Sequence, residues 1–169
     1  TYSWNPTGST IDSITGLFAG TYVVTVTDSL GCVISDSVTI SQPSQITVPI
    51  ASSEPSCNGG LDGDATAVPT GGTPPYIAYD WTDPSGVTIS TTAIVTALQA
   101  NVTYNVTVTD VIGCTGTGSV TLTQPDSIII TTTLVNNVSC NAGNNGSVDI
   151  DVTGGTQPYT YLWSPNNYT

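Results

Sequence analysis

The chain has 169 residues, twelve of them acidic, with no Lys, Arg or His, and so a formal net charge of -12. Nothing in it can neutralise a phosphate backbone or an anionic bilayer, which removes nucleic acid and membrane surfaces as partners. No apolar run approaches the roughly 18 residues of a membrane span, so no direct membrane insertion is expected. Only 7% of residues are charged, unlike a disordered acidic tail.

Thr, Ser and Val dominate, with Gly, Pro and Asn as punctuation. β-branched side chains suit a pleated, half-buried surface, so the composition predicts an all-β chain. In chain order, the first distinctive stretch is "LFAGTY" at Leu17–Tyr22. It has the form of a tyrosine corner, in which a Tyr at the start of a strand bonds back to the upstream backbone. "TYVVTVTDSLGC" follows at Thr21–Cys32 and returns 82 residues later as "TYNVTVTDVIGC" at Thr103–Cys114. "SQP" at Ser41 answers "TQP" at Thr123, "SCNGG" at Ser56 answers "SCNAG" at Ser139, and "GGTPPYIAYDW" at Gly71 answers "GGTQPYTYLW" at Gly154. Self-similarity at a fixed, domain-sized spacing marks an array of beads rather than a solenoid.

The "QP" pairs set the boundaries, because a proline there donates no ladder hydrogen bond. Residues 1–43 then form the back half of a repeat, 44–125 a complete one, and 126–169 the front half of a third. The chain therefore reads as a segment of something longer. Within the complete repeat, strands are predicted at 45–50, 64–69, 76–82, 92–98, 103–110 and 117–123. Their alternation and turn spacing predict tandem immunoglobulin-like β-sandwich repeats of about 82 residues. Tyr104, Val106 and Val108 should face the core, and Asn105, Thr107 and Thr109 the solvent. In the second repeat "LQANVTY" carries an insertion and Asn101 where the first has Gly20, which weakens the corner.

The order Cys, "DG" or "NG", "GGTxPYxYxW", "LxxGTY", "VTVTDxxGC" and a closing "QP" resembles the SprB-type repeat of cell-surface gliding adhesins of the Bacteroidota. It is more loosely similar to PKD-like sandwich modules of secreted enzymes. The first resemblance covers the whole chain. It implies an exported, filament-like surface protein, carried out by the type IX system and serving adhesion and gliding. Its partners would be neighbouring repeats, surface polysaccharide or the gliding machinery. "DSI" at Asp12, "DSL" at Asp28, "DSV" at Asp36 and "DSI" at Asp126 look like the O-glycosylation acceptor of that phylum, with Ser13, Ser29, Ser37 and Ser127 carrying the sugar. Asn101, Asn105, Asn137, Asn145 and Asn167 head weaker Asn-x-Ser/Thr sequons.

Four cysteines sit at repeat-locked positions, and without His a zinc site is not expected. For an extracellular chain a disulfide is the natural use. One pairing joins Cys57 to Cys114 within the repeat, leaving Cys32 and Cys140 to partners outside the segment. The other joins Cys32 to Cys57 and Cys114 to Cys140 across repeats. The first is favoured because each repeat then carries its own clamp. An immunoglobulin template opposes it if the first strand lies at 45–50, since that puts Cys57 and Cys114 at opposite poles.

Catalysis has little to work with: there is no His, no Lys, and Glu54 is the only Glu. Asp62 and Asp64, two apart like Asp149 and Asp151, could offer oxygens to calcium, although Asn145 stands in the third repeat where Asp62 stands in the second. The plainer reading is solvated strand edges and Asx-turns, with Asp28 and Asp110 capping the turn before each "GC". Trp4, Trp81 and Trp163 recur once per repeat. They fit either a buried sandwich core or a flat platform for sugar rings, as a carbohydrate-binding accessory module would need.

Overall fold

The structure, a computed structural model, describes residues 1–164. It forms two compact units, Thr1–Ser44 and Gln45–Thr169. Among the described residues every long regular element is a β-strand, and no helix is long and apolar enough to cross a membrane.

In the first unit β1 (Tyr2–Asn5), β2 (Gly20–Thr27) and β3 (Val33–Ile40) make an antiparallel sheet in that order. The Thr21 and Thr39 hydroxyls bond across β2 and β3 at 3.0 Å. The same pair recurs in the second unit as Thr103 and Thr121 at 2.7 Å. Exposed threonines thus stitch equivalent strand pairs in both repeats.

The second unit contains the complete repeat. β4 (Ile50–Ser53), β5 (Gly63–Ala67) and β8 (Ile94–Leu98) form one sheet in the order β4-β5-β8. β6 (Tyr76–Thr82), β7 (Thr88–Ser90), β9 (Thr103–Asp110) and β10 (Thr115–Thr121) form the other, in the order β10-β9-β6-β7. Three strands against four, all neighbours antiparallel, is an immunoglobulin-like sandwich. One core joins the sheets: Ala65 and Ala67 from β5, Val95 and Leu98 from β8, Trp81 from β6, and Tyr104, Val106 and Val108 from β9, closed by Ile46, Val48 and Leu122. The alternation expected along β9 holds, with Tyr104, Val106 and Val108 buried and Asn105 exposed. Trp81 is fully buried, and its Nε1 donates to the Thr92 carbonyl at 3.1 Å, so the ring enters the core with its one polar atom satisfied. That excludes Trp81 as a sugar platform.

Two strands differ from the sequence reading. The first forms at Ile50–Ser53 rather than at 45–50, because Pro49 interrupts the ladder. Ile46 and Val48 are nevertheless buried, with Thr47 bridging Thr70. β7 is short, and no alternation announced it. Beyond the complete repeat, β11 (Ile129–Asn136) pairs with β12 (Ser147–Thr153) around a bulge at Thr132/Leu134. This hairpin is the counterpart of β4–β5.

Candidate functional site at the junction between repeats

The turn that ends each "VTVTD" strand is built on its aspartate. Asp110 Oδ1 accepts from the backbone N–H groups of Ile112 at 3.1 Å and Cys114 at 2.8 Å, and Oδ2 accepts from Thr73 at 2.8 Å. Asp28 repeats the pattern, accepting from Leu30 and Cys32, both at 2.8 Å. Both sequence assignments of a capping role are met. Asp110 is the buried charged residue of the core region. Burial alone would push its carboxyl up, but the N–H groups of Thr73, Cys114, Ile112 and Gly113 outweigh that and hold it below the ordinary value of 3.8. Asp28 is held low chiefly by the Cys32 and Leu30 N–H groups.

Carboxylates lowered by folding contribute stability that is present above 3.8 and lost as pH falls through their lower native values. The urea midpoint is therefore expected to hold from neutral pH down to about pH 4 and fall below it. Asp110→Asn should lower the neutral midpoint and shrink the acid loss. A midpoint that rises on acidification would instead mean that relief of the twelve-carboxylate repulsion dominates.

The tyrosine corner is present in both units with opposite polarity. Tyr22 Oη donates to the Phe18 carbonyl at 3.0 Å, whereas the Tyr104 hydroxyl accepts from the Gln99 N–H at 3.1 Å. The second repeat, which carries the inserted residue, thus offers the hydroxyl an N–H where the first offers a carbonyl. Asn101 takes φ +60°, which Asn tolerates better than most residues.

The linker leaving the complete repeat is held from both sides. Asn58 Nδ2 donates to the Pro125 carbonyl at 3.1 Å, and the Gly59 N–H donates to Gln124 Oε1 at 2.8 Å, so the Cys57 loop grips the departing chain. From the following repeat, the Gly155 N–H donates to the Asp126 carbonyl at 2.7 Å. Gly155 also lies against Ile128, leaving no room for a Cβ. The same seat exists one repeat earlier, where a Cβ on Gly72 would stand 2.5 Å from Ile46 Cγ1. Tyr76 Oη donates to the Gly71 carbonyl at 2.7 Å, and Tyr159 Oη donates likewise to Gly154. Between the two repeats runs a groove of about 360 Å³, lined by Cys57, Asn58, Pro125, Asp126, Gly155 and Thr156 among others. In the sequence the glycine pair is only part of a recurring motif and the "QP" a boundary. The clasp between them needed the fold.

The cysteine pairing favoured from sequence is not accommodated. All four cysteines are free and exposed. Cys57 lies beside Gln124 and Pro125, past the end of β10, whereas Cys114 precedes its first residue. The strand between them has 7 residues and spans about 23 Å. A disulfide tolerates no more than about 7 Å between Cα atoms. Cys57 and Cys114 therefore mark opposite poles of one module, as the immunoglobulin template required. Cys140 is the Cys57 counterpart: Gly143 N–H donates to its carbonyl at 2.9 Å, as Gly60 N–H does to Cys57 at 3.0 Å. It stands beyond β11, a further strand from Cys114, which also sets aside the Cys114–Cys140 alternative.

Asp62 Oδ1 accepts from the Ser56 N–H at 3.1 Å, and Asn145 Oδ1 accepts from the Ser139 N–H at 3.0 Å. The position needs an oxygen acceptor to brace the cysteine loop, which explains the Asp-to-Asn exchange between repeats. Asp64 sits half-buried on β5. Among the described residues no group of three His, Cys, Asp or Glu stands close enough to hold a metal ion. Ser13, Ser29, Ser37 and Ser127 are all exposed, as are Asn101, Asn105, Asn137 and Asn145. Asn167 lies outside the described residues.

One complete sandwich with Trp81 in its core, flanked along the chain by the partial sheets β1-β2-β3 and β11-β12 and followed by a clasped linker, defines an immunoglobulin-like module within a repeat array. Trp4 is half-buried and Trp163 exposed in their partial modules. Residues 50–86 and 132–167 match the family described as the SprB repeat, and these segments are SprB-type repeats. Such repeats are typical of surface-exposed adhesins. No curated protein matches the chain.

Proposed function

We propose that the chain is a stretch of the shaft of a large exported cell-surface adhesin that supports adhesion and gliding motility. The observation that carries this reading is the linker at Pro125–Asp126, hydrogen-bonded to the module before it and the module after it. Such a junction passes load from one bead to the next without a loose hinge. The family match and the burial of Trp81 favour a shaft over a sugar-binding accessory module of a secreted enzyme. Export through the type IX system and glycosylation at the exposed Ser13, Ser29, Ser37 and Ser127 belong to the same proposal.

Antibodies raised against residues 44–125 should label intact cells and lose their target when the surface is shaved by protease. Trypsin is unsuitable, since the chain has no Lys or Arg. Removing whole repeats from the gene should weaken attachment and gliding. Labelling confined to lysed cells, or a catalytic domain in the same polypeptide released to the medium, would overturn the reading.

A further inference from the structure

We infer that in consecutive repeats the cysteine at the Cys57 position of one module forms a disulfide with the cysteine at the Cys114 position of the next. The inference rests on the repeat register and not on the adhesin reading. Cys57 is exposed at the pole from which the chain leaves its module, on the groove that it shares with Gly155 and Thr156 of the following repeat.

Gly155 and Thr156 are the counterparts of Gly72 and Thr73. The local frames coincide: Gly72 and Gly155 have φ +62° and +61°, each is packed on the isoleucine that opens its repeat, and each is preceded by a glycine whose carbonyl accepts a tyrosine hydroxyl. In the complete repeat, Thr73 and Cys114 donate their N–H groups to the two oxygens of one carboxylate, that of Asp110, both at 2.8 Å. Cys114 is therefore a near neighbour of Thr73. Placing a completed third module on the same frame brings its Cys114 counterpart beside Thr156, on the groove that Cys57 lines. Neither cysteine has a partner within its own module, because a strand of 7 residues separates them. Between modules the two poles meet.

The chemistry is a two-electron oxidation. Two thiols lose two protons and two electrons, the S–S bond forms, and an external disulfide donor is reduced to two thiols. The result is a ladder of staples, one per junction, that leaves every module's interior untouched.

The test extends the 169-residue chain at its C-terminus with a copy of Thr88–Pro125, which completes the third module. Oxidised glutathione supplies the disulfide, and pepsin fragments are mapped without reduction. Cys57 should be linked to the appended cysteine, and the five thiols (the four of the chain plus one) should fall to three. Cys57→Ser should leave the appended thiol free. A Cys57–Cys114 bond, or five free thiols in a folded chain, overturns the inference. If the extended chain does not fold, two copies of 44–125 in tandem decide the matter, since the core residues of the complete repeat all lie between Ile46 and Leu122. There the bond must join Cys57 of the first copy to Cys114 of the second, and its absence overturns the inference equally.

Discussion

Trp81→Ala is expected to lower the unfolding free energy of the second unit by about 3–5 kcal/mol, the range for truncating a fully buried large aromatic. The ring lies between the sheets among Val95, Leu98, Val106 and Leu122, so its loss opens a cavity that rigid strands on both sides cannot close. Its Nε1 bond to Thr92 is lost as well, leaving a carbonyl to find water. Urea unfolding followed by far-UV circular dichroism measures the effect. Trp81→Phe should recover much of the loss, because it refills the space without the indole N–H. A Trp81→Ala variant as stable as the parent would show that the core assignment is wrong.

Gly72→Ala carries the second large effect, about 2–5 kcal/mol, from two costs that a control separates. A Cβ at this position would stand 2.5 Å from Ile46 Cγ1 and 2.9 Å from Asp110 Oδ2, at φ +62°. Overpacking costs about 1–3 kcal/mol. The left-handed backbone costs a further 1–2 kcal/mol or so with a side chain attached. Gly86 has φ +82° and open space around it, so Gly86→Ala pays only the second cost. The difference between the two midpoints isolates the crowding of Ile46 and Asp110. Equal losses at both positions would mean that Ile46 simply moves aside, and that the seat under the first residues of a repeat is soft.

Much of the sandwich was legible in the sequence because its signals are local. The alternation of Tyr104, Val106 and Val108 assigns β9 and its inward face, and Asp28 and Asp110 announce their turns by standing four residues before a cysteine whose N–H they bind. Pro49 should have moved the first strand downstream, but the apolar Ile46 and Val48 outweighed it. They are buried as a lead-in segment that closes the core without joining the ladder beyond Thr47. The cysteines resisted reading for a different reason. Whether Cys57 and Cys114 can meet depends on which pole each occupies; the immunoglobulin template put them at opposite poles, but periodicity along one chain could not decide between that template and a clamp in every repeat. Only the bonds from Asn58 and Gly59 to Pro125 and Gln124 place the Cys57 loop at the departing end. The junction clasp was illegible for the same reason, since its partners lie 65 and 67 residues apart in sequence.

The clasped linker also bears on reach. Modules joined by flexible tethers span a distance that grows as the square root of their number, as any freely jointed chain does. A joint whose backbone groups are already spent on both neighbours, at Pro125 and at Asp126, removes that freedom. In the shaft proposed above, a run of such joints would extend in direct proportion to the modules added, so each duplicated gene segment would add a fixed increment of reach.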